Sequence, residues 1–354
     1  MRSRIVTLTS RTKRRKRVAT PWWTKLPHQE LLDVRLCDLG LRIEGTALES
    51  RVGRLHEELG RAGLRFRPYV WLSTDWFTPN GTTGFAIPFF LAHPRLARIE
   101  HAEMFEVEGG THDWCMKLLR HEAGHAIDNA YRLHRRKRWR EMFGPSSTPY
   151  RSSYVPDPGS KSHVLNLGDW YSQSHPVEDW AETFAVWLRP HSRWRSHYRD
   201  WPALAKLEFV DELMEEIRCS PAKVRSRERP ESLSRQRLTL RDYYDRKKSF
   251  YGDAAQTTAY DTYLKKLFDT GNGQTRTAAA FLRQTRKGLR DRVSAMTGQY
   301  RYAIDQTIDE MITRCRKLEL RMSLSAEETR LGAAILVAAM TSHLIRNRKQ
   351  EFHR

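Results

Sequence analysis

The stretch Leu118-Leu119-Arg120-His121-Glu122-Ala123-Gly124-His125-Ala126-Ile127-Asp128 decides how this chain is read. On an α-helix, residues four apart stand one above the other on the same face, so the imidazoles of His121 and His125 can converge on one ion. Zinc accepts two such nitrogens at roughly 2.0–2.1 Å, and a catalytic site adds one more protein ligand and an open position for water. Glu122 lies one residue round the helix from His121. From there its carboxylate can reach that water without binding the metal, which makes it the candidate general base. The flanks support a buried helix, because Trp114, Leu118 and Ile127, with Ala126 and Ala130, form an apolar pattern. Gly124 sits between the two histidines. A glycine inside a helix costs about 1 kcal/mol relative to alanine, so its presence there predicts close approach by another backbone or a ligand.

Downstream, His175-Pro176-Val177-Glu178-Asp179-Trp180-Ala181-Glu182-Thr183-Phe184-Ala185-Val186-Trp187-Leu188 reads as a second helix. Pro176 suits the first helical position, and Val177, Ala181, Phe184, Ala185 and Leu188 recur at spacings of three and four. Glu178 and Glu182 stack on one face of that helix. A carboxylate held against a core needs a partner, so Glu178 is read as the third zinc ligand. Glu182 is read as the acceptor for the ring N–H of a ligand histidine. A solvated acidic face is the alternative.

These two motifs together, HEAGHAID and Tyr171-xxxxxx-Glu178-xxx-Glu182, resemble the gluzincin metallopeptidases. In particular they resemble the branch that includes anthrax lethal factor and the bacterial zinc-binding metallopeptidases. The resemblance implies that the first glutamate of an ExxAE helix, here Glu178, is the third ligand and that Glu182 supports the site. It also implies that the tyrosine seven positions before the third ligand, here Tyr171, acts as an electrophile near the scissile carbonyl. It covers only about His121–Asp128 and Tyr171–Leu188. Some bacterial members carry a cysteine-rich zinc ribbon near the N-terminus, and this chain has no CxxC.

The implied chemistry is hydrolysis of peptide or protein substrates by a Zn²⁺-activated water, with Glu122 moving the proton and a donor holding the oxyanion. Tyr171 is the candidate donor. His175 is a second candidate, with a helix-start or packing role as its alternative. Asp128, three residues past His125, is expected to brace the active helix. His134 falls about half a helical revolution from His125 and cannot join the same metal from a continuous helix. Position 131, where a metzincin carries its third histidine, is Tyr131. No GxMEN element is present to capture a free amino terminus, which favours an endopeptidase.

The expected fold class is α+β. A zincin-like catalytic domain, with a small, mostly antiparallel sheet beside the active helix, is followed by an all-helical C-terminal domain. Arg65–Ser73, Gly84–Ala92 and, more weakly, Ile99–Val107 read as strands, with Gly84–Ala92 as the edge that pairs with substrate because Pro88 is tolerated there. The expected division is a basic segment 1–40, a catalytic domain 41–218, a linker 219–236 and a helical domain 237–354. Helices are expected over about Pro202–Arg218, Thr239–Thr270, Ala278–Leu320 and from a capping pattern Ser325-xx-Glu328 onward, with a turn at Gly271-Asn272-Gly273. Leu331–Met340 is too short to span a bilayer.

The chain carries 62 Lys and Arg against 42 Asp and Glu, a formal charge of +20. Such a surface attracts polyanions with strongly salt-dependent affinity, so nucleic acid or another polyanion is a candidate partner. The clusters are Arg11–Arg17, His134–Arg140 and Lys247–Lys248, and Trp139 is a candidate to stack on a base. The rival to the enzyme is therefore a nucleic-acid-binding protein with a vestigial zinc site, or a protease acting on nucleic-acid-bound proteins. Cys37, Cys115, Cys219 and Cys315 match no metal or redox spacing and read as reduced packing residues. With neither an apolar signal region nor a span in sight, the expected location is cytoplasmic, although Arg11–Arg17 would also pass as a nuclear address.

Overall fold

The computed structural model describes residues 20–151, 154–168, 170–252, 259–270 and 276–346. The Arg11–Arg17 run and the Gly271-Asn272-Gly273 turn lie outside them. In chain order the elements are α1 (His28–Leu32), α2 (Ala47–Arg61), β1 (Tyr69–Ser73), β2 (Gly84–Pro88), α3 (Pro94–Met104), α4 (His112–Tyr131), α5 (Lys137–Phe143), α6 (Pro176–Leu188), α7 (Trp194–His197), α8 (Ala203–Ile217), α9 (Leu240–Gly252), α10 (Ala259–Leu267), β3 (Phe268–Asp269), α11 (Ala278–Thr297), α12 (Arg301–Lys317), β4 (Arg321–Met322) and α13 (Ala326–Arg346). The fold is mostly helical. Among the described residues no helix is long and apolar enough to cross a membrane.

The helix with the HExxH stretch begins at a Thr111 cap, whose hydroxyl accepts from the Trp114 backbone, and ends at Arg132 in the left-handed region. It is buried on most of its circumference, with Leu119, Ala123, Ala126, Ile127 and Ala130 fully inside. Helix α2 clamps it from one side. There the Glu58 carboxylate takes both Nε and Nη2 of Arg120 at 2.8 and 3.0 Å, a two-pronged ion pair next to His121. Helix α6 packs on its other side. At that crossing a Cβ on Gly124 would stand 3.0 Å from the Cα of Ala181, the close backbone approach that a glycine at this position predicts.

The sheet differs from expectation. Strands β1 and β2 pair in parallel, with Tyr69 opposite Gly84 and Ser73 opposite Pro88, and they are a two-stranded sheet rather than part of an antiparallel one. Gly84–Ala92 is not a free edge: β2 is buried throughout, its far side is met by Phe77 through the Ala86 N–H to Phe77 carbonyl bond of 2.8 Å, and a short 3-10 turn, Phe89–Ala92, follows it. The expected third strand, Ile99–Val107, is instead mostly the end of α3. Pro94 opens that helix, the His93 side chain caps it, and Leu96, Ile99 and Met104 are buried at helical spacing.

One hydrophobic cluster runs from Trp23 to Tyr244 and takes in α1–α6, β1, β2, α8 and the start of α9. A second, from Leu264 to Met340, is built by α10–α13. Thr239–Thr270 is divided between α9, α10 and β3. Ala278–Leu320 breaks where Gly298 adopts φ +74°, so it forms two antiparallel helices, α11 and α12, rather than one. Helix α13 starts at the anticipated reciprocal cap, with the Ser325 backbone donating to Glu328 and the Glu328 backbone to the Ser325 hydroxyl. The Leu331–Met340 stretch is two-faced: Ala333, Val337 and Met340 are inside, Leu331 and Ile335 outside. Cys115 and Cys315 are buried, Cys219 is exposed, and all four cysteines are free.

Candidate metal centre

Helices α4 and α6 bring His121, His125 and Glu178 to one point. Nε2 of His125 is 3.1 Å from Nε2 of His121 and 3.2 Å from Oε2 of Glu178, and Nε2 of His121 is 3.1 Å from the same oxygen. Among the described residues this is the one cluster of three metal-ligating side chains. Ligand atoms of a tetrahedral zinc held at roughly 2.0–2.1 Å stand about 3.3–3.4 Å apart, so the observed triangle is close to the edge length such an ion requires. Chemistry agrees with geometry. Two imidazole nitrogens and a carboxylate oxygen facing one another are a donor set that suits zinc.

The electrostatics point the same way. Burial works against ionisation of Glu178, yet His125 and His121 hold its carboxyl well below the usual range. Burial likewise opposes a charge on His121, but the hydrogen bonds of Glu178 and Glu182 lift its pKa well above the ordinary value. A triad that attracts a proton this strongly also fits a divalent cation.

His121 and Glu178 are each held by a further side chain. The Nδ1 of His121 meets Glu182 Oε1 at 2.8 Å. Glu182 is almost fully buried, so its face of α6 is not a solvated one. The same carboxylate accepts from Asn166 Nδ2 and from the Leu167 backbone N–H, both at 2.8 Å. Thus the 160s segment is tied to the back of the site. In front, the Tyr150 hydroxyl donates to Glu178 Oε1 at 2.7 Å, leaving Oε2 toward the histidines. The Tyr171 ring lies beside His121, with centroids 5.7 Å apart. Burial first, then the nearby Glu178 charge, pushes the phenol pKa of Tyr171 and of Tyr150 upward, so both remain donors across the ordinary pH range. Glu122 is buried, and its Oε2 accepts the Thr78 hydroxyl at 2.7 Å.

Two further anticipated residues have partners of their own. His175 caps α6: its Nδ1 accepts from the Val177 N–H and its Nε2–H donates to the Thr148 carbonyl at 2.6 Å, so both ring nitrogens are used. Its ring stacks on Tyr150 at 3.8 Å and 8°, which steadies the tyrosine that holds Glu178. Asp128 accepts from the backbone and ring of His134, bracing the chain where it leaves α4. Sequence reasoning missed Thr78, Tyr150 and Asn166, none of which stands at a fixed spacing from either motif.

The basic run after α4 is largely neutralised within the fold. Arg136 pairs with Glu216, Arg138 with Glu212 and Lys137 with Glu141. Trp139 is fully buried among Phe143 and Trp180, which removes it as a base-stacking residue.

No curated protein and no solved structure matches this chain. Residues 116–195, which hold His121, Glu122, His125, Tyr171, Glu178 and Glu182, match the family described as "Putative zinc-binding metallo-peptidase".

Proposed function

We propose that this chain is a zinc-dependent endopeptidase of the gluzincin type, similar to the lethal factor-like branch, with a zincin-like arrangement of its catalytic helices. One observation carries the reading: two HExxH histidines and Glu178 present three ligand atoms to one point, with Glu122 adjacent on the same helix. The family match over residues 116–195 supports it.

In this reading His121, His125 and Glu178 hold the ion. Zinc, when bound, supplies Lewis acidity and a water acidic enough to ionise near neutral pH. Glu122, steadied by Thr78, takes a proton from water and returns it to the leaving amine. The Tyr171 hydroxyl donates to the oxyanion of the tetrahedral intermediate. His175 positions Tyr150 rather than touching substrate. The absence of an amino-terminus-binding GxMEN element favours internal bonds as the point of cleavage.

The test is metal content together with casein or peptide-library cleavage, run on wild type, Glu122→Gln and Glu178→Ala. The reading expects one zinc per chain in wild type and Glu122→Gln, less in Glu178→Ala, and cleavage by wild type alone. A wild type that binds no zinc would overturn it.

A further inference from the structure

Positive charge is unevenly compensated over this molecule. The run at 134–140 faces the acids of α8, as described above, whereas the segment between α8 and α9 does not. From Lys223 to Arg229 the sequence alternates as Lys-Val-Arg-Ser-Arg-Glu-Arg, with Lys223, Arg225, Arg227 and Arg229 exposed and Val224 and Ser226 turned partly inward. Glu228 is the one acid in that stretch. The backbone is pinned at regular intervals. The N–H groups of Lys223 and Val224 donate to the Ala130 carbonyl, and the carbonyls of Ser226, Glu228 and Pro230 accept from Thr83, Tyr69 and Trp71. Acceptors at every second residue and outward cations at every second residue are the period of an extended chain. At about 3.3 Å per residue the four cations are spaced roughly 6.6 Å apart along a ridge of about 20 Å.

A shorter copy of the pattern lies before β1. Arg65 and Arg67 are exposed while Leu64, Phe66 and Pro68 are buried, and Tyr69, the next outward position, is the residue bonded to the Glu228 carbonyl. Among the described residues none of these six cations forms an ion pair, in contrast to neighbours such as Arg61, Arg136 and Arg218, which do. A row of guanidinium groups on a backbone fixed by the sheet loses little entropy on binding and suits bidentate contact with phosphate oxygens. No exposed apolar side chain interrupts the row, so it lacks the wedge with which an interfacial segment enters a lipid surface.

We propose that the ridge Lys223–Arg229, with Arg65 and Arg67 beside it, is a docking surface for the phosphate backbone of a single-stranded nucleic acid. It is independent of the zinc site. Binding is governed by counterion release, about 0.7 in the log–log salt slope for each phosphate neutralised on a single strand. Contacts by the four ridge cations alone give a slope near −2.8, about a fiftyfold loss of affinity between roughly 50 and 200 mM salt.

The experiment is fluorescence anisotropy of the full chain with a labelled oligo(dT) across that salt range. It includes Arg225→Ala/Arg227→Ala, and Arg138→Ala as a variant in the internally paired run. The double variant is expected to bind more weakly at every salt, with a slope near −1.4 and about a sevenfold loss over the same range. Arg138→Ala keeps the wild-type slope. All three positions are exposed, so thermal melts should coincide. A double variant with wild-type affinity and slope would overturn the proposal, as would binding to phosphatidylserine vesicles without binding to the oligonucleotide.

Discussion

A Cβ on Gly124 would stand 3.0 Å from the Cα of Ala181 and 3.2 Å from Cδ1 of Phe184, so the helices that carry His121, His125 and Glu178 meet at backbone distance. The Trp180 indole adds a bond of 2.8 Å to the Gly124 carbonyl. Alanine would improve helix propensity by about 1 kcal/mol. Against that, the obstructing atom is backbone of a buried helix and cannot rotate away, and overpacking of this kind costs typically about 1–3 kcal/mol. Gly124→Ala is therefore expected to lower the melting temperature by a few degrees and to weaken zinc binding, because Glu178 is displaced from the histidines. An alanine variant as stable as wild type, with undiminished zinc affinity, would show that the crossing has slack.

Much of this site was legible because it is written on two helices. Periodicity located α4 and α6, Pro176 marked the start of one, and the spacing of four put His121 and His125 on a common face. Glycine at 124 signalled the crossing. What was not legible depends on contacts between segments remote in sequence. Tyr150 reaches Glu178, and Asn166 reaches Glu182, from a stretch rich in Pro, Ser and Gly that has no period of its own. The direction of β1 against β2 is likewise set by the path between them, where Phe77 bridges to Ala86, and not by alternation within either strand. Ile99–Val107 has the apolar content of a strand, but the His93-Pro94 start makes most of it the tail of a helix.

Glu182 accepts three donors: the His121 ring, the Asn166 amide and the Leu167 backbone. Glutamine at this position keeps the shape but turns one acceptor oxygen into a donor, facing either Leu167 N–H or the His121 and Asn166 pair. Glu182→Gln should thus lose zinc affinity by about 10- to 100-fold, the usual effect of removing a partner that orients a ligand histidine. It should also destabilise the metal-free protein by about 1–3 kcal/mol through the unsatisfied buried group. Competition with a chromophoric chelator and urea unfolding in the presence of chelator read the two effects separately. Unchanged zinc affinity would remove Glu182 from any role at the metal.

Tyr150 holds the Glu178 oxygen that does not face the histidines. Without that hydroxyl, Oε1 is free to turn toward a bound ion and occupy the position a water needs. Tyr150→Phe is expected to leave the fold intact and to change the visible spectrum of the cobalt-substituted protein from the intense bands of four-coordination to weaker ones of higher coordination. Cleavage should fall more through turnover than through KM. A cobalt spectrum identical to wild type would mean that Glu178 keeps one ligating oxygen without help.

Glu108 follows α3 among carboxylates. Burial, then the charge of Asp75, pushes its pKa from the ordinary 4.5 to about 8, with Lys247 opposing. The native state therefore keeps a proton that the unfolded chain releases above the ordinary value. Between those two values the native state binds more protons, so stability falls as pH rises through this window, by at most about 1.4 kcal/mol per pH unit. Glu100 and Glu106, also raised chiefly by burial, act in the same sense. Glutamine cannot ionise, so Glu108→Gln should flatten the decline and be more stable than wild type at pH 8, while the two differ little near pH 4.5. Urea unfolding at intervals from pH 4.5 to 8 checks this. Parallel stability curves for the two proteins would mean that Glu108 is already ionised in the native state at neutral pH, paired with the Lys247 charge more strongly than burial opposes it.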